Sequence, residues 1–378
     1  MDQNLSKVEN SNLALFLKRF DFLHFFVIIS LSLSGVLFIY GIGQQVGGRI
    51  QDYWKMQIIW LAVGFSLWIY LSFFFDLKKL RLLAPIIFVI SVLFLILVLF
   101  QGQRINMAKR WINIMGFRFQ PSELAKTALV IMLAWILTLR DFNVNKLYHL
   151  LLCLIIAAIP FILICVEPDL GTAVVIIPLT FSMLFVAGLN KKWIFSGIIA
   201  MLILLPSAYP FLKEYQKERI RVFLDPNRDI RNRGWNSLQA ELAVGSGGLY
   251  GKGFMQGTQH SLGFLSQTVS NTDFIFSVIG EEMGFIGSLG LVILYLSLCF
   301  SLLRTSMSAD PFGKYIAVGV CILIFIHSFI NIGMTIRLLP VTGLPLPLIS
   351  YGGTFTINTL ILLGLANSAF YNRSLVRN

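Results

Sequence analysis

Residues 213–282 read KEYQKERIRVFLDPNRDIRNRGWNSLQAELAVGSGGLYGKGFMQGTQHSLGFLSQTVSNTDFIFSVIGEE, a long polar stretch in an otherwise apolar chain. Asp273 stands where this stretch turns back into apolar sequence, so it lies at the rim of whatever the apolar part builds. Composition identifies that part: of 378 residues, 57% are hydrophobic and 13% charged, and the mean hydropathy of +0.79 is beyond the range of a soluble domain. A helix crosses a bilayer with about 20 apolar residues at about 1.5 Å each. Runs of this kind start near Phe22, Met56, Leu82, Leu124, Tyr148, Leu170, Lys192, Phe274, Phe312 and Leu348. The expected fold is an all-α polytopic integral membrane protein of about ten transmembrane helices. It forms one transmembrane domain over residues 1–378, with tails at 1–21 and 372–378 and a large loop, 213–272, between helices 7 and 8.

The N-terminal residues stay polar and charged for too long to form a secretory leader, and no small-residue cleavage site follows, so the first span is read as retained. Cys153, Cys165, Cys299 and Cys321 fall inside spans at unrelated spacings, which predicts neither a disulfide nor a zinc site. No convincing internal repeat stands out. With the N-terminus in the cytoplasm, lysines and arginines favour the inner side roughly twofold. An even number of spans then leaves both tails cytoplasmic and turns 213–272 outward.

Exceptions to that bias cluster in two places: Arg104, Lys109, Arg110 and Arg118, and the run Lys213, Lys217, Arg219, Arg221, Arg228, Arg231 and Arg233. Solvation or contact with lipid phosphates would explain any one of them. Their concentration beside a carboxylate-bearing rim favours an anionic ligand.

Ionisable residues at membrane depth are few, and each is a functional candidate. Glu123 and Lys126, in QPSELAK, are three apart and share a helix face, with Pro121 suited to the first turn. They read either as a neutralising pair that lets the helix enter the bilayer or as the wall of a polar cavity. In CVEPDLGTAVV, Pro168 breaks one span and Asp169 is placed to cap the next, close to Glu167. The glycines of AVGSGGLYGKGFMQG lack the spacing of a phosphate loop and read as a compact, turn-rich loop. No nucleotide site is implied, and no nucleic-acid partner is expected. IRVFL beside KEYQKER resembles an interfacial amphipathic segment. His260 is expected to be exposed, and it, His24 and His327 are read as structural. In RLLPVTGLPLPLISYGG, prolines and glycines at membrane depth imply cover by protein or water. This segment is expected to line the cavity of Asp273, with Arg337 and Ser350 as ligand contacts.

QPSELAK (120–126), EPDLGT (167–172), YQKERIRVFLDP (215–226), LAVGSGGLYGKGFMQGTQ (242–259), TDFIFSVIGEEMG (272–284) and GLPLPLISYGG (343–353) together resemble the shape, elongation, division and sporulation (SEDS) glycosyltransferases, in that family's order and over most of the chain. GKGFMQGTQ is more similar to the rod-shape (RodA-type) branch than to the division branch. The resemblance implies a peptidoglycan polymerase in the bacterial cytoplasmic (inner) membrane. Such an enzyme joins lipid II units to a growing glycan strand at the outer face and releases undecaprenyl diphosphate. It also implies a class B penicillin-binding transpeptidase as partner and a divalent cation, Mg2+ or Mn2+. On the same resemblance Asp273 matches the family's essential aspartate, Glu123 and Lys126 its important pair, and Asp169 its PDLGT acid. The chain departs from the family just before TDFIF, where LSQTVSNTD places Asn271 at a position commonly held by histidine.

A sugar hydroxyl attacking an anomeric carbon needs a base, while a diphosphate leaves without the general acid a glycosidase requires, so one carboxylate suffices. Asp273 is that base or else a ligand of the cation. Arg104, Lys109, Arg110, Arg219 and Arg221 are the candidates for stabilising charge on the diphosphate. The alternative is a flippase for lipid II or another lipid-linked sugar. It would spread polar residues across the bilayer's depth, whereas here they crowd the outer ends of spans. A non-catalytic scaffold would leave the cost of burying Glu123 unexplained.

Overall fold

The computed structural model describes residues 19–105, 108–114, 117–193, 195–197, 199, 209–211, 214–225 and 233–375. Its long helices are α1 (Phe22–Val46), α2 (Tyr53–Phe73), α3 (Leu77–Gln101), α4 (Pro121–Leu137), α5 (Leu147–Val166) and α6 (Leu170–Val186). The polar segment contributes α7 (Glu214–Leu224), α8 (Arg233–Ser246) and the single turn α9 (Gln267–Ser270), and α10 (Ile275–Ser308), α11 (Pro311–Thr335) and α12 (Gly353–Tyr371) follow. Among the described residues, seven helices are long and apolar enough to cross a membrane, and α4 and α6, of 17 residues each, pack among them. The span expected to start near Lys192 lies largely outside the described residues.

Short polar residues start these helices by taking up otherwise orphaned amides. Asp21, Asp76 and Asp310 accept from the amides of His24, Lys78 and Gly313, and Pro121 and Pro311 open α4 and α11, where a missing N–H costs nothing. Burial sorts the helices into layers. In α4 all residues but Leu124 and Trp135 are buried, and the apolar windows of α11 and α12 are 72% and 78% buried, against 28% for α2, α3 and α5. The first three therefore form the centre. The outer helices present side chains such as Leu82, Leu93 and Phe100 outward, a surface whose natural solvent is lipid.

Long-range contacts assign the connections to two ends. At one end Arg304 pairs with Asp21 at 2.9 Å, Arg81 donates to the Thr138 carbonyl, Asn145 donates to the Gly188 carbonyl, and Arg19 lies over the Tyr371 ring. Both described chain ends are therefore on this side. At the other end Arg110 meets Asp169, Thr354 donates to the Arg118 carbonyl, Arg219 donates to the Thr342 carbonyl and Arg337 pairs with Glu241. The polar segment thus sits with 103–119, 167–169 and 336–352.

Two features of that end correct the expected fold. Residues 103–119 are not a plain loop: strands β1 (Gln103–Ile105), β2 (Ala108–Ile114) and β3 (Phe117–Phe119) form an antiparallel sheet in that order, with Ile112 opposite Phe119. The segment's Trp111, Ile112, Ile114 and phenylalanines favour strand, a signal that reading it for charge passes over. Gly245 belongs to α8, and the glycine-rich turns start only at Gly247. They dock onto a kink in α10 at Gly284, φ +64°. Phe285 and Ile286 donate to the carbonyls of Gly248 and Leu249, and the amides of Lys252 and Gly253 donate to those of Glu281 and Glu282. The loop thereby satisfies backbone groups that the kink releases. A Cβ at Gly251 would collide with the Glu282 carbonyl, so glycine is required there for the approach.

Candidate active site

Asp273 lies in the turn 271–274 that leads into α10. The loop 341–352 folds over this turn. Tyr351 N–H donates to the Asn271 carbonyl at 2.9 Å, and the Ser350 hydroxyl donates to the Thr272 carbonyl at 2.6 Å. Gly343, φ +79°, brings its backbone against the carboxylate, where a Cβ would stand 3.3 Å from Asp273 Oδ2. Burial raises the pKa of Asp273, opposed first by the charge of Arg219, then by Thr272 and by Arg110. The expected base is thus a carboxyl lifted above its usual range at the junction of loop and bundle, which keeps it a better proton acceptor than an exposed aspartate.

Two expected cations act on it through their charge. Arg219, on α7, donates through Nη1 to the Thr342 carbonyl at 3.0 Å, beside the glycine that closes on Asp273. Arg110, on β2, donates to the Pro168 carbonyl and lies 3.5 Å from Asp169. Asp169 caps α6 as expected, accepting from the amide and hydroxyl of Thr172. Neighbouring Glu167 is 1% exposed, and its oxygens have no hydrogen-bond partner among the described residues. Burial, reinforced by Asp169, pushes its pKa up to about 8.

The other expected ligand contacts are engaged elsewhere. Arg221 pairs with Glu214 at 2.6 Å and Glu218 at 3.2 Å. Arg337 pairs with Glu241 at 2.5 Å. Ser350, expected to touch ligand, is fully buried, and its Oγ also accepts from the Leu346 amide. It braces the site instead of facing it. The side chains of Arg104, Lys109, Arg228, Arg231 and Arg233 lie outside the described residues.

Glu123 and Lys126 pair at 2.9 Å, with side chains 4% and 2% exposed. Lys126 Nζ also lies 2.8 Å from Nε2 of His327 on α11. An ammonium only donates, so Nε2 accepts and the imidazole is neutral with its proton on Nδ1. A cavity of about 20 Å³ adjoins these three residues, Asn358 and Phe355, enough for about one water. His327 is therefore part of the Glu123–Lys126 unit.

A family model described as "Cell cycle protein", for FtsW, RodA and SpoVE, matches residues 14–374. The chain belongs to this family. It is 36% identical over 295 residues to the peptidoglycan glycosyltransferase MrdB of Escherichia coli K12, covering 78% of this chain and 79% of that protein. It is 31% identical to the peptidoglycan glycosyltransferase RodA of Treponema pallidum, covering 92% and 97%. Among solved structures, a chain described under "Structural coordination of polymerization and crosslinking by a peptidoglycan synthase complex" superposes with a TM-score of 0.79 at 30% identity, covering 94% of this chain and 98% of that one. The rod shape determining protein RodA of Thermus thermophilus matches at 0.69 and 27%, covering 94% and 97%.

Within this family member, sequence reasoning also missed how the polar loop is held. His260, expected to be exposed, is fully buried and lies 3.9 Å from Glu281 and 3.8 Å from Glu282, with Gln45 of α1 against its Nε2. Burial lowers its pKa to about 4 against the opposing pull of Glu281. Glu281 accepts from Lys252 Nζ at 2.5 Å and from Thr258 and Gln259. Adjacent glutamates inside an apolar helix were the signal: buried carboxylates need donors, and the loop supplies them.

Proposed function

We propose that this chain polymerises lipid II into glycan strands at the outer face of the bacterial cytoplasmic membrane, releasing undecaprenyl diphosphate. The observation that carries this reading is Asp273: a carboxyl of raised pKa, covered by loop 341–352 and under the charge of Arg219 and Arg110, at one end of an apolar helical bundle. Asp273 takes the proton of the acceptor hydroxyl as that oxygen bonds the anomeric carbon, and the bond from that carbon to the diphosphate breaks. The electron pair leaves with the diphosphate, where guanidinium charge stabilises it. No second carboxyl is needed on the leaving side.

A divalent cation, Mg2+ or Mn2+, belongs to this proposal. Among the described residues no group of three or more His, Cys, Asp or Glu is arranged to hold a metal, so Asp273 fits a cation only as one ligand shared with substrate phosphates, a common arrangement for Mg2+. Bound there, the cation would supply charge neutralisation. The proposal also includes ten spans, cytoplasmic tails, an outward-facing 213–272 loop, the rod-shape branch, and a class B penicillin-binding transpeptidase as partner. In support of a partner, the chain superposes on one described under structural coordination of polymerization and crosslinking by a peptidoglycan synthase complex.

Purified protein incubated with lipid II in detergent, where transport between leaflets has no meaning, should yield glycan chains. Asp273→Asn should reduce their formation by at least about a hundredfold, the lower range for loss of a general base, with folding unchanged. A normal rate in that variant would remove Asp273 from the chemistry. No glycan from the wild type, with partner and cation present, would favour the flippase.

A further inference from the structure

We infer that Asn331 is a positioning residue of this site, the pin that joins the turn of Asp273 to the loop covering it; the inference rests on the polymerase reading. Asn331 lies near the end of α11 and is 0% exposed. Its Nδ2 donates to the carbonyl of Asp273 at 2.9 Å and to that of Leu344 at 2.7 Å. These two acceptors belong to segments far apart in sequence that share no helix or strand. Both are carbonyls, so only the NH2 end of the amide can face them, and the side chain's orientation is settled by chemistry. Its Oδ1 has no hydrogen-bond partner among the described residues and is buried. A group serving stability alone would gain little from that burial.

With Asn331 included, three successive carbonyls of the turn each take a separate donor. Asn271 accepts from the Tyr351 amide, Thr272 from the Ser350 hydroxyl and Asp273 from the Asn331 amide. Two donors come from the covering loop, which is itself fastened to Asn331 at Leu344 and to Ser350 at Leu346. The Asp273 main chain thus has no freedom to rotate its carboxyl away without breaking a tie to α11 or to the loop. Asn331 contributes no atom to the reaction. It holds the base, and a base displaced by about 1 Å loses about a hundredfold in rate.

The test is steady-state polymerisation of lipid II by the full chain with its partner, comparing wild type, Asn331→Leu and Asn331→Asp, with thermal unfolding to establish folding. Both variants should lower kcat about a hundredfold and leave KM within about threefold, since no substrate contact is removed. Asn331→Asp carries a further signature. Its ionised carboxylate has no donor for either carbonyl, while its protonated form regains one hydrogen bond, so its activity relative to wild type should fall as pH rises, and that of Asn331→Leu should not. Folded variants with wild-type kcat, or a loss confined to KM, would overturn the inference while leaving the polymerase reading intact. A wild-type protein that makes no glycan would overturn both, because Asn331 would then position no base.

Discussion

Replacing Lys126 by methionine asks whether the buried Glu123–Lys126–His327 unit serves stability or chemistry. At 2.9 Å two unit charges attract by about 332/(20 × 2.9), about 6 kcal/mol, at an effective dielectric of about 20. Desolvating both groups consumes most of that gain, so the informative quantity is the cost of leaving one charge alone, about 3–5 kcal/mol. Lys126→Met leaves Glu123 in that state and should lower the melting temperature in detergent by at least about 5 °C. The double variant Glu123→Gln with Lys126→Met removes both charges and should recover most of that loss, since replacing a buried pair by neutral groups is often close to neutral. Polymerisation of lipid II is then the discriminating readout. We expect the double variant to stay below about a tenth of wild-type rate, because Lys126 alone links α4 to the His327 acceptor on α11. The charge exchange, Glu123→Lys with Lys126→Glu, should also stay inactive, since it turns a carboxylate toward an unprotonated nitrogen. Recovery of activity in step with recovery of stability, in either double variant, would refute the reasoning and return the pair to a helix-insertion role.

Polymerisation should fail at low pH along a limb lying above the usual carboxylate range, because the folded pKa of Asp273 is raised and the base form appears only as pH passes it. Arg219→Gln removes the largest influence lowering that pKa and should shift the limb to higher pH, while Arg219→Lys keeps the charge and should shift it less; a limb indifferent to both would separate Arg219 from Asp273. The same sign governs stability: the contribution of a neutral, buried Asp273 is fully present below its unfolded value near 3.8 and is lost as pH rises through the raised value. For topology, Tyr250→Cys is a suitable reporter, since Tyr250 is 80% exposed. An impermeant thiol reagent should label it in intact spheroplasts, and labelling only after lysis would invert the active face.

Seven of the expected spans were legible because a bilayer demands long, continuous apolar runs, a signal local in sequence. Asp169 as a cap and Glu123 with Lys126 on one face were legible for the same reason, being contacts within one helical turn. Much of the remaining site is built from long-range contacts, such as Asp273 with Asn331, 58 residues apart, and Lys126 with His327, 201 apart, and no periodicity records those. Arg219 and Arg221 mark the boundary between the two cases. Two residues apart on a helix, they point about 200° from each other, so only one could act on the carboxylate, and that one is Arg219, while Arg221 pairs with Glu214 and Glu218 of its own helix. The adjacent glutamates of α10 carry the same logic further. Both are buried, at 0% and 1% exposure, and the donors that satisfy Glu281 come from residues 252–259. Lifting the glycine-rich loop would leave two carboxylates uncovered at membrane depth, so the loop and the kinked helix must move as one body, and Asp273, at the start of that helix, moves with them.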